Sequence, residues 1–188
     1  MKTAIILAAR REKESEIPYP LKAFAPDLCL LDRTIGILRD LHFSNILIVV
    51  GYKAEMFRKY EADDVTLIVN KDYEFTASMG SLALAKDYVK EDFLLIESDT
   101  FYERRLIEQL AARTEGNCLS MTEESGSGDE CFMETKNGFV TKITKDRHRV
   151  CHFEGEMIGV SRITLDTFEM LVNAWEHEFH VAFKRVHA

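Results

Sequence analysis

Residues 3–9 read Thr3-Ala4-Ile5-Ile6-Leu7-Ala8-Ala9, an apolar run almost without interruption. A strand with one wet face alternates apolar and polar residues. An unbroken run marks a strand covered on both faces, as in a parallel sheet flanked by helices. The signature returns at 45–50 (NILIVV), 65–69 (VTLIV) and 93–97 (FLLIE). Between these runs the period changes. Leu30 to Phe43 places Leu31, Ile35, Leu38 and Leu41 on one helical face, with Asp32 as its cap. Ala54 to Tyr60 and Ser81 to Tyr88 read as short helices, and Arg104 to Ala112 as a helix with Leu106, Ile107 and Leu110 inward. Strands alternating with helices over about the first hundred residues imply a doubly wound, mostly parallel sheet.

The pattern then changes. Cys118 to Thr122 reads as a strand and Glu123 to Glu130 (EESGSGDE) as an acidic loop. Phe132 to Thr135 and Phe139 to Ile143 flank Lys136-Asn137-Gly138, where the Asn-Gly pair signals a hairpin turn. Glu156 to Val160 is a further strand, and Leu165 to Trp175 a helix with Leu165, Phe168, Leu171, Val172 and Trp175 on one side. The expected fold is α/β, Rossmann-like, with a small mixed-sheet addition. No internal repeat and no long linker divides it, so 1–175 forms one domain, followed by a polar tail at 176–188.

Composition narrows the function classes. With 188 residues, 46% hydrophobic and 30% charged, the chain is globular rather than disordered. Lys plus Arg number 24 against 32 Asp plus Glu, a net charge of −8, which argues against nucleic acid as a partner. No apolar run approaches the roughly 18 residues that span a membrane. The first apolar run passes straight into RREKESE without a cleavage region, so it reads as a strand and not a leader. Four cysteines (Cys29, Cys118, Cys131, Cys151) lack C-x-x-C spacing. They read as reduced, mostly buried thiols in a cytoplasmic protein, with no zinc site. His177, His180 and His187 have no recognised ligand spacing and read as solvated.

In a doubly wound sheet, ligands bind at the carboxyl ends of the strands. After the first strand, Ala8 and Ala9 let a ligand approach the backbone, while Arg10, Arg11 and then Lys22 are candidates to hold a polyphosphate. A solvated charged loop is the plain alternative for the two arginines. Lys22 is better held, between Pro20-Leu21 and Ala23-Phe24-Ala25-Pro26. After the fourth strand, Glu97-Ser98-Asp99 offers a carboxylate suited to Mg²⁺, which prefers one or two carboxylates plus substrate phosphates. Asp99 as a turn cap is an equal alternative. In Asn70 to Leu82, Thr76, Ser78 and Ser81 supply hydroxyls and Gly80 a close approach, with Ser78 also a candidate helix cap.

Taken in order, MKTAIILAA, Pro20-Leu21-Lys22-Ala23-Phe24-Ala25-Pro26, NILIVVGYKAEMF, VNKDYEFTASMGSLALA and DFLLIESD resemble nucleotidyltransferases of the nucleotide-diphospho-sugar transferase type. More narrowly, they are similar to cytidylyltransferases acting on phosphocholine or 2-aminoethylphosphonate, over Met1 to about Trp175. The resemblance implies attack by an acceptor phosphate or phosphonate on the α-phosphorus of CTP, with Mg²⁺ as cofactor and pyrophosphate released. It implies that Lys22 stabilises charge on the reacting phosphates and that Asp99 holds the metal. Ala8, Ala9 and Arg10 would lie beneath the nucleotide, Ser98 beside it, and Ser78, Gly80 and Ser81 at its base and ribose. Glu154 and Glu156 would face a cationic acceptor.

Three departures stand out. The family's L-A-A-G-x-G-x-R loop is here Leu7-Ala8-Ala9-Arg10-Arg11-Glu12-Lys13-Glu14, with neither glycine. The family's Gly-Asp is Ser98-Asp99. The strand carrying a second magnesium aspartate has no counterpart in 176–188, so the resemblance reads the domain as truncated at its C-terminal end. Expected partners are therefore CTP and a small phosphorylated amine, within a homo-oligomer or a fusion to a second enzymatic domain. A sugar 1-phosphate acceptor, or a catalytically weak nucleotide-binding regulatory domain, are the alternatives.

Overall fold

The computed structural model describes residues 1–11 and 15–186, with side chains as far as 178. In chain order, β1 (Thr3–Ala8) is followed by a 3-10 turn (Tyr19–Leu21) and a small ribbon of β2 (Ala23–Ala25) and β3 (Leu28–Cys29). Then come α1 (Leu30–Asp40), β4 (Asn45–Val50), a 3-10 segment (Ala54–Tyr60), β5 (Val65–Val69), α2 (Ser78–Ala83), β6 (Phe93–Glu97) and α3 (Arg104–Ala112). The last third holds β7 (Cys118–Thr122), β8 (Phe132–Lys136), β9 (Phe139–Thr144), a 3-10 turn (Arg147–Arg149), β10 (Gly155–Ile163) and α4 (Leu165–Val186).

Eight strands form one sheet in the order β5-β4-β1-β6-β10-β8-β9, with β7 also paired to β10. β1 runs parallel to β4 and β6, and β4 parallel to β5. β10 is the seam, antiparallel to β6, β7 and β8. Alternation along each parallel strand divides the core. Ala4, Ile6 and Ala8 of β1 pack with Ile46, Ile48 and Val50 against Leu31, Ile35 and Leu38 of α1 and Ile107 of α3. Ile5 packs with Leu47, Val49 and Phe93 on the other face, against Leu82 of α2 and Phe168 of α4. The central strands β1 and β4 are covered on both faces, whereas the edge strand β5 exposes Thr66 and Val69. The expected β8–β9 turn has Asn137 and Gly138 at φ 55° and 80°, the left-handed pair that a two-residue hairpin needs.

Several local expectations are corrected. Asp32 does not cap α1. Cys29 does, its Sγ accepting from the Asp32 N–H at 3.5 Å while the Asp32 carboxylate accepts from the Cys29 N–H at 3.0 Å, a reciprocal capping box. The helix stops at Asp40, not Phe43, because His42 turns left-handed at φ 62°. α2 begins at Ser78 instead of Ser81, with Ala77 in the cap position, so Ser78 is not the cap; beyond Ala83 the chain continues as turns. α4 runs past Trp175 to Val186, through the stretch expected to be a tail, and Glu176 pairs at 2.7 Å with Lys86 in the turns after α2. All four thiols are free, but only Cys29 is buried and Cys151 is exposed. Among the described residues no helix is long and apolar enough to cross a membrane.

Candidate active site

The chain runs outward from β1 to β4 and β5, then returns to the other side of β1 to make β6. The strand order therefore reverses between β1 and β6, and at such a switch point the loops diverge and leave a crevice at the carboxyl ends. A cleft of about 1260 Å³ opens there. Leu7, Ala8 and Ala9 from β1 and Glu97, Ser98 and Asp99 from β6 form its base. Tyr19 and Pro20, the segment from Tyr73 to Ser78, and Ser127, Asp129 and Lys145 form its sides.

Small residues keep the base low. Ala9 is buried, and its carbonyl accepts from the Tyr52 N–H at 3.0 Å. Gly51 permits this approach, since a Cβ there would lie 2.7 Å from the Ala9 carbonyl oxygen and 2.6 Å from Tyr73 Cβ. Arg10 and Arg11 both line the cleft. Arg11 stacks on the Tyr52 ring, 5.4 Å from its centroid, and lies 3.8 Å from Glu74. The loop that lacks glycines thus delivers two guanidinium groups to the cleft.

The wall from β5 to α2 is organised by a residue absent from the sequence reading. Asn70 is buried, and its amide donates to the hydroxyls of Thr76 (2.8 Å) and Ser81 (3.0 Å) while its carbonyl accepts from the Asp72 N–H at 2.9 Å. One side chain so fixes both ends of the segment that presents Tyr73, Glu74, Thr76, Ala77, Ser78 and Ser81. An Asn directly after a buried strand, six residues before a Thr, was the available signal. Gly80 serves this wall from behind: a Cβ there would sit 2.5 Å from Thr76 Cβ.

Charge is unevenly distributed in the cleft. The Glu97 carboxyl is pushed up by burial, and then by the like charge of Asp99; Lys145, a Ser78 hydrogen bond and Arg10 oppose this. Gly159 on β10 makes space for it, because a Cβ there would lie 2.6 Å from Glu97 Cβ and 2.9 Å from Oε2. Opposite, Lys145 holds Asp129 at 2.5 Å, and Arg10 lies 3.5 Å from Asp129 and 3.9 Å from Asp99. Glu97 was read only as part of the Glu97-Ser98-Asp99 strand end, and Asp129 and Lys145 were given no site role from the sequence. The latter two lie in the acidic loop and at the end of β9, remote in sequence from the strand ends searched for ligand groups.

Ala8, Ala9, Arg10, Ser78, Ser81, Ser98 and Asp99 all line this one cleft, as expected. Lys22, Gly80, Glu154 and Glu156 are not among its lining residues. The Lys22 ammonium lies 5.3 Å from the centre of the Tyr19 ring, which does line it, so Lys22 is one aromatic ring removed. Glu156 accepts from the Ser125 N–H at 2.7 Å and so ties down the loop bearing Asp129. Glu154 is exposed, its N–H donating to Met133. His177 is exposed beside Glu178 at 3.6 Å; the His180 side chain and His187 lie outside the described residues.

Among the described residues no three His, Cys, Asp or Glu side chains gather to hold a metal. What the cleft offers is oxygen: Asp99, close enough to Glu97 for its charge to push the Glu97 carboxyl up. Such oxygen donors are those a hard cation takes, completing its coordination with water and substrate oxygens, and they lack the nitrogen and sulfur that structural zinc sites use.

No family model matches the chain. It is 29% identical over 127 residues to CMP-5'-(3-aminopropyl)phosphonate synthase of Streptomyces rubellomurinus, covering 62% of this chain and 20% of that protein. It is 38% identical over 80 residues to choline-phosphate cytidylyltransferase of Haemophilus influenzae, covering 40% of this chain and 33% of that one. The matched stretches thus span a fifth and a third of these relatives. Among solved structures, the inositol-1-phosphate CTP transferase of T. maritima superposes with a TM-score of 0.72 at 20% identity, covering 90% of this chain and 73% of that one. The CTP:phosphocholine cytidylyltransferase of Streptococcus pneumoniae gives 0.70 at 21% identity, covering 97% and 79%. The chain therefore has the nucleotidyltransferase fold, and its sequence relatives are nucleotidyltransferases.

Proposed function

We propose that this chain is the catalytic domain of a cytidylyltransferase, transferring CMP from CTP to a small phosphorylated amine such as phosphocholine or 2-aminoethylphosphonate. An acceptor oxygen forms the new bond to the α-phosphorus, and the bond from that phosphorus to the bridging oxygen breaks. Pyrophosphate leaves with the electron pair. The observation that carries the reading is the mixed charge of one cleft at the sheet's switch point. Arg10, Arg11 and Lys145 face Glu74, Glu97, Asp99 and Asp129 across it. A triphosphate needs the cations, and an acceptor with a phosphate at one end and an ammonium at the other suits both signs. A sugar 1-phosphate would bring no positive charge of its own to these carboxylates.

The residue roles follow from position. The Ala8–Ala9 backbone supports the nucleotide at closest approach, with Ser98 beside it. Ser78 and Ser81, the latter oriented by Asn70, read base and ribose. Arg10 and Lys145 neutralise phosphate charge. Lys22 supplies charge to the reacting phosphates after a rotation off the Tyr19 ring. Asp99 would hold Mg²⁺, which when bound supplies further charge neutralisation on the phosphates. Positioning and electrostatics suffice for such a transfer, and no side-chain nucleophile is required. Both sequence relatives bear names that join a cytidine nucleotide to an amine-bearing phosphate or phosphonate, which supports the choice of base and acceptor.

A thermal-shift comparison of CTP, UTP, ATP and GTP, each with and without Mg²⁺, tests the nucleotide half. Ligand at a hundred times its Kd adds about 2.7 kcal/mol, or roughly 5–11 °C for a domain of this size. A rise selective for CTP with Mg²⁺ is expected. No rise, or an equal rise with all four, contradicts the assignment.

A further inference from the structure

One contact in the cleft runs against its proposed use. The cations placed to receive a polyphosphate already have a partner. Lys145, just beyond β9, holds the Asp129 carboxylate at 2.5 Å, and Arg10, just beyond β1, approaches the same carboxylate at 3.5 Å. These two cations come from strands at opposite parts of the sheet, and Asp129 bridges them across the cleft mouth. Two charged donors converging on one carboxylate is the arrangement that a phosphate oxygen would require.

The segment carrying Asp129 is suited to move. It links β7 to β8 through Glu123–Glu130, and its residues up to Asp129 are exposed. Gly126 and Gly128 hold left-handed φ values of 70° and 84° with open space where a Cβ would stand. The side-chain bond from Glu156 reaches it only at Ser125. The acceptors of its other bonds lie within the loop itself, as where the Ser127 hydroxyl accepts from the Asp129 N–H and the Glu130 carboxylate from the Gly128 N–H.

We propose that Asp129 is a resident counter-ion of the phosphate subsite, an autoinhibitory contact that occupies Arg10 and Lys145 in the empty cleft and is displaced by an incoming polyphosphate. This rests on the cleft being the nucleotide site. It adds that the site is not preformed for its ligand: each binding event exchanges a carboxylate for a phosphate on the same two cations. Binding is weakened by the cost of the exchange, and pyrophosphate, once formed, leaves against a carboxylate ready to take its place. Both ion pairs are partly exposed, which bounds the effect to a modest one.

The test uses inorganic tripolyphosphate and CTP as separate probes, titrated calorimetrically at low salt into the wild-type chain, Asp129→Asn and Glu124→Gln. Glu124 lies in the same loop, so its substitution changes net charge equally without touching Arg10 or Lys145. Asp129→Asn is expected to bind tripolyphosphate about three- to tenfold more tightly than wild type. Glu124→Gln should stay within about twofold, since screened exposed charges at a distance contribute little. The melting temperature of Asp129→Asn, an exposed loop position, verifies folding. Equal or weaker binding by Asp129→Asn overturns the proposal, as does an equal gain in Glu124→Gln or no tripolyphosphate binding by any form. If the expected gain appears with tripolyphosphate while CTP binds no better than other nucleotides, the counter-ion role stands and the cytidine assignment fails.

Discussion

Replacing Gly159 by alanine tests how the cleft is built into the sheet. Gly159 lies on β10 beside the end of β6, one residue beyond the terminal β10–β6 pair of Val160 and Ile96. An added Cβ would stand 2.6 Å from Glu97 Cβ, 2.9 Å from Cγ and 2.9 Å from Oε2. The nearest of these atoms is fixed to the β6 backbone and cannot rotate away. Relief requires β10 to separate from β6 or Glu97 to shift toward the ligand. Overpacking of this kind costs about 1–3 kcal/mol, or roughly 2–12 °C in a domain of this length. Thermal and urea unfolding of Gly159→Ala measure it. A double-mutant comparison locates the cause. Glu97→Ala removes the Cγ and Oε2 contacts but keeps Cβ, so it should relieve only part of the loss, whereas Glu97→Gly should relieve most of the clash. A Gly159→Ala protein melting within about 1 °C of wild type would refute the proposed packing of Glu97, as would full relief by Glu97→Ala.

Two further outcomes rest on named contacts. Burial pushes the Asp32 carboxyl up, but hydrogen bonds from Cys29 and Tyr60 outweigh it and leave the group below its ordinary value. A lowered folded value means stabilisation that is present above the unfolded value, about 4, and lost as pH falls through the folded one. Asp32→Ala should therefore cost about 1–2 kcal/mol at neutral pH, and this difference from wild type should shrink as the pH falls below the unfolded value; a pH-independent difference would remove the carboxylate from the account. Lys22→Ala should lower kcat about a hundredfold with little change in the KM for CTP, because its charge is needed most in the transition state. A loss confined to KM would make Lys22 a ground-state binding residue instead.

Much of the fold was legible because burial on both faces imposes a nearly unbroken apolar run, as in β1 and β4, and because β5 and β6 carry shorter runs of the same kind. Helix ends were less legible. Capping depends on which short side chain meets which N–H, and Cys29 took the role that composition assigns to Asp32. α4 continues beyond its expected end at Trp175, and there Glu176 meets Lys86, a pairing ninety residues apart that no local window contains. The site divided in the same way. Ala8, Ala9, Ser98 and Asp99 stand at or just past the carboxyl ends of buried strands, the positions where a doubly wound sheet holds its ligand groups. Lys145 and Asp129 join the cleft through the placement of β10 between β6 and the β8–β9 hairpin, a tertiary fact with no local signature. Glu97 looked like the last residue of a strand. Its function as a cleft carboxylate depends on Gly159, sixty-two residues later.

The most direct test of the central claim is product formation. The chain is incubated with CTP, Mg²⁺ and phosphocholine or 2-aminoethylphosphonate, and the mixture is examined by mass spectrometry alongside a pyrophosphate assay. The account predicts a CMP-linked amine and an equal amount of pyrophosphate, both dependent on CTP and both lost in Asp99→Asn. CTP that remains intact with every phosphorylated amine, or conversion only with a sugar 1-phosphate, would contradict it.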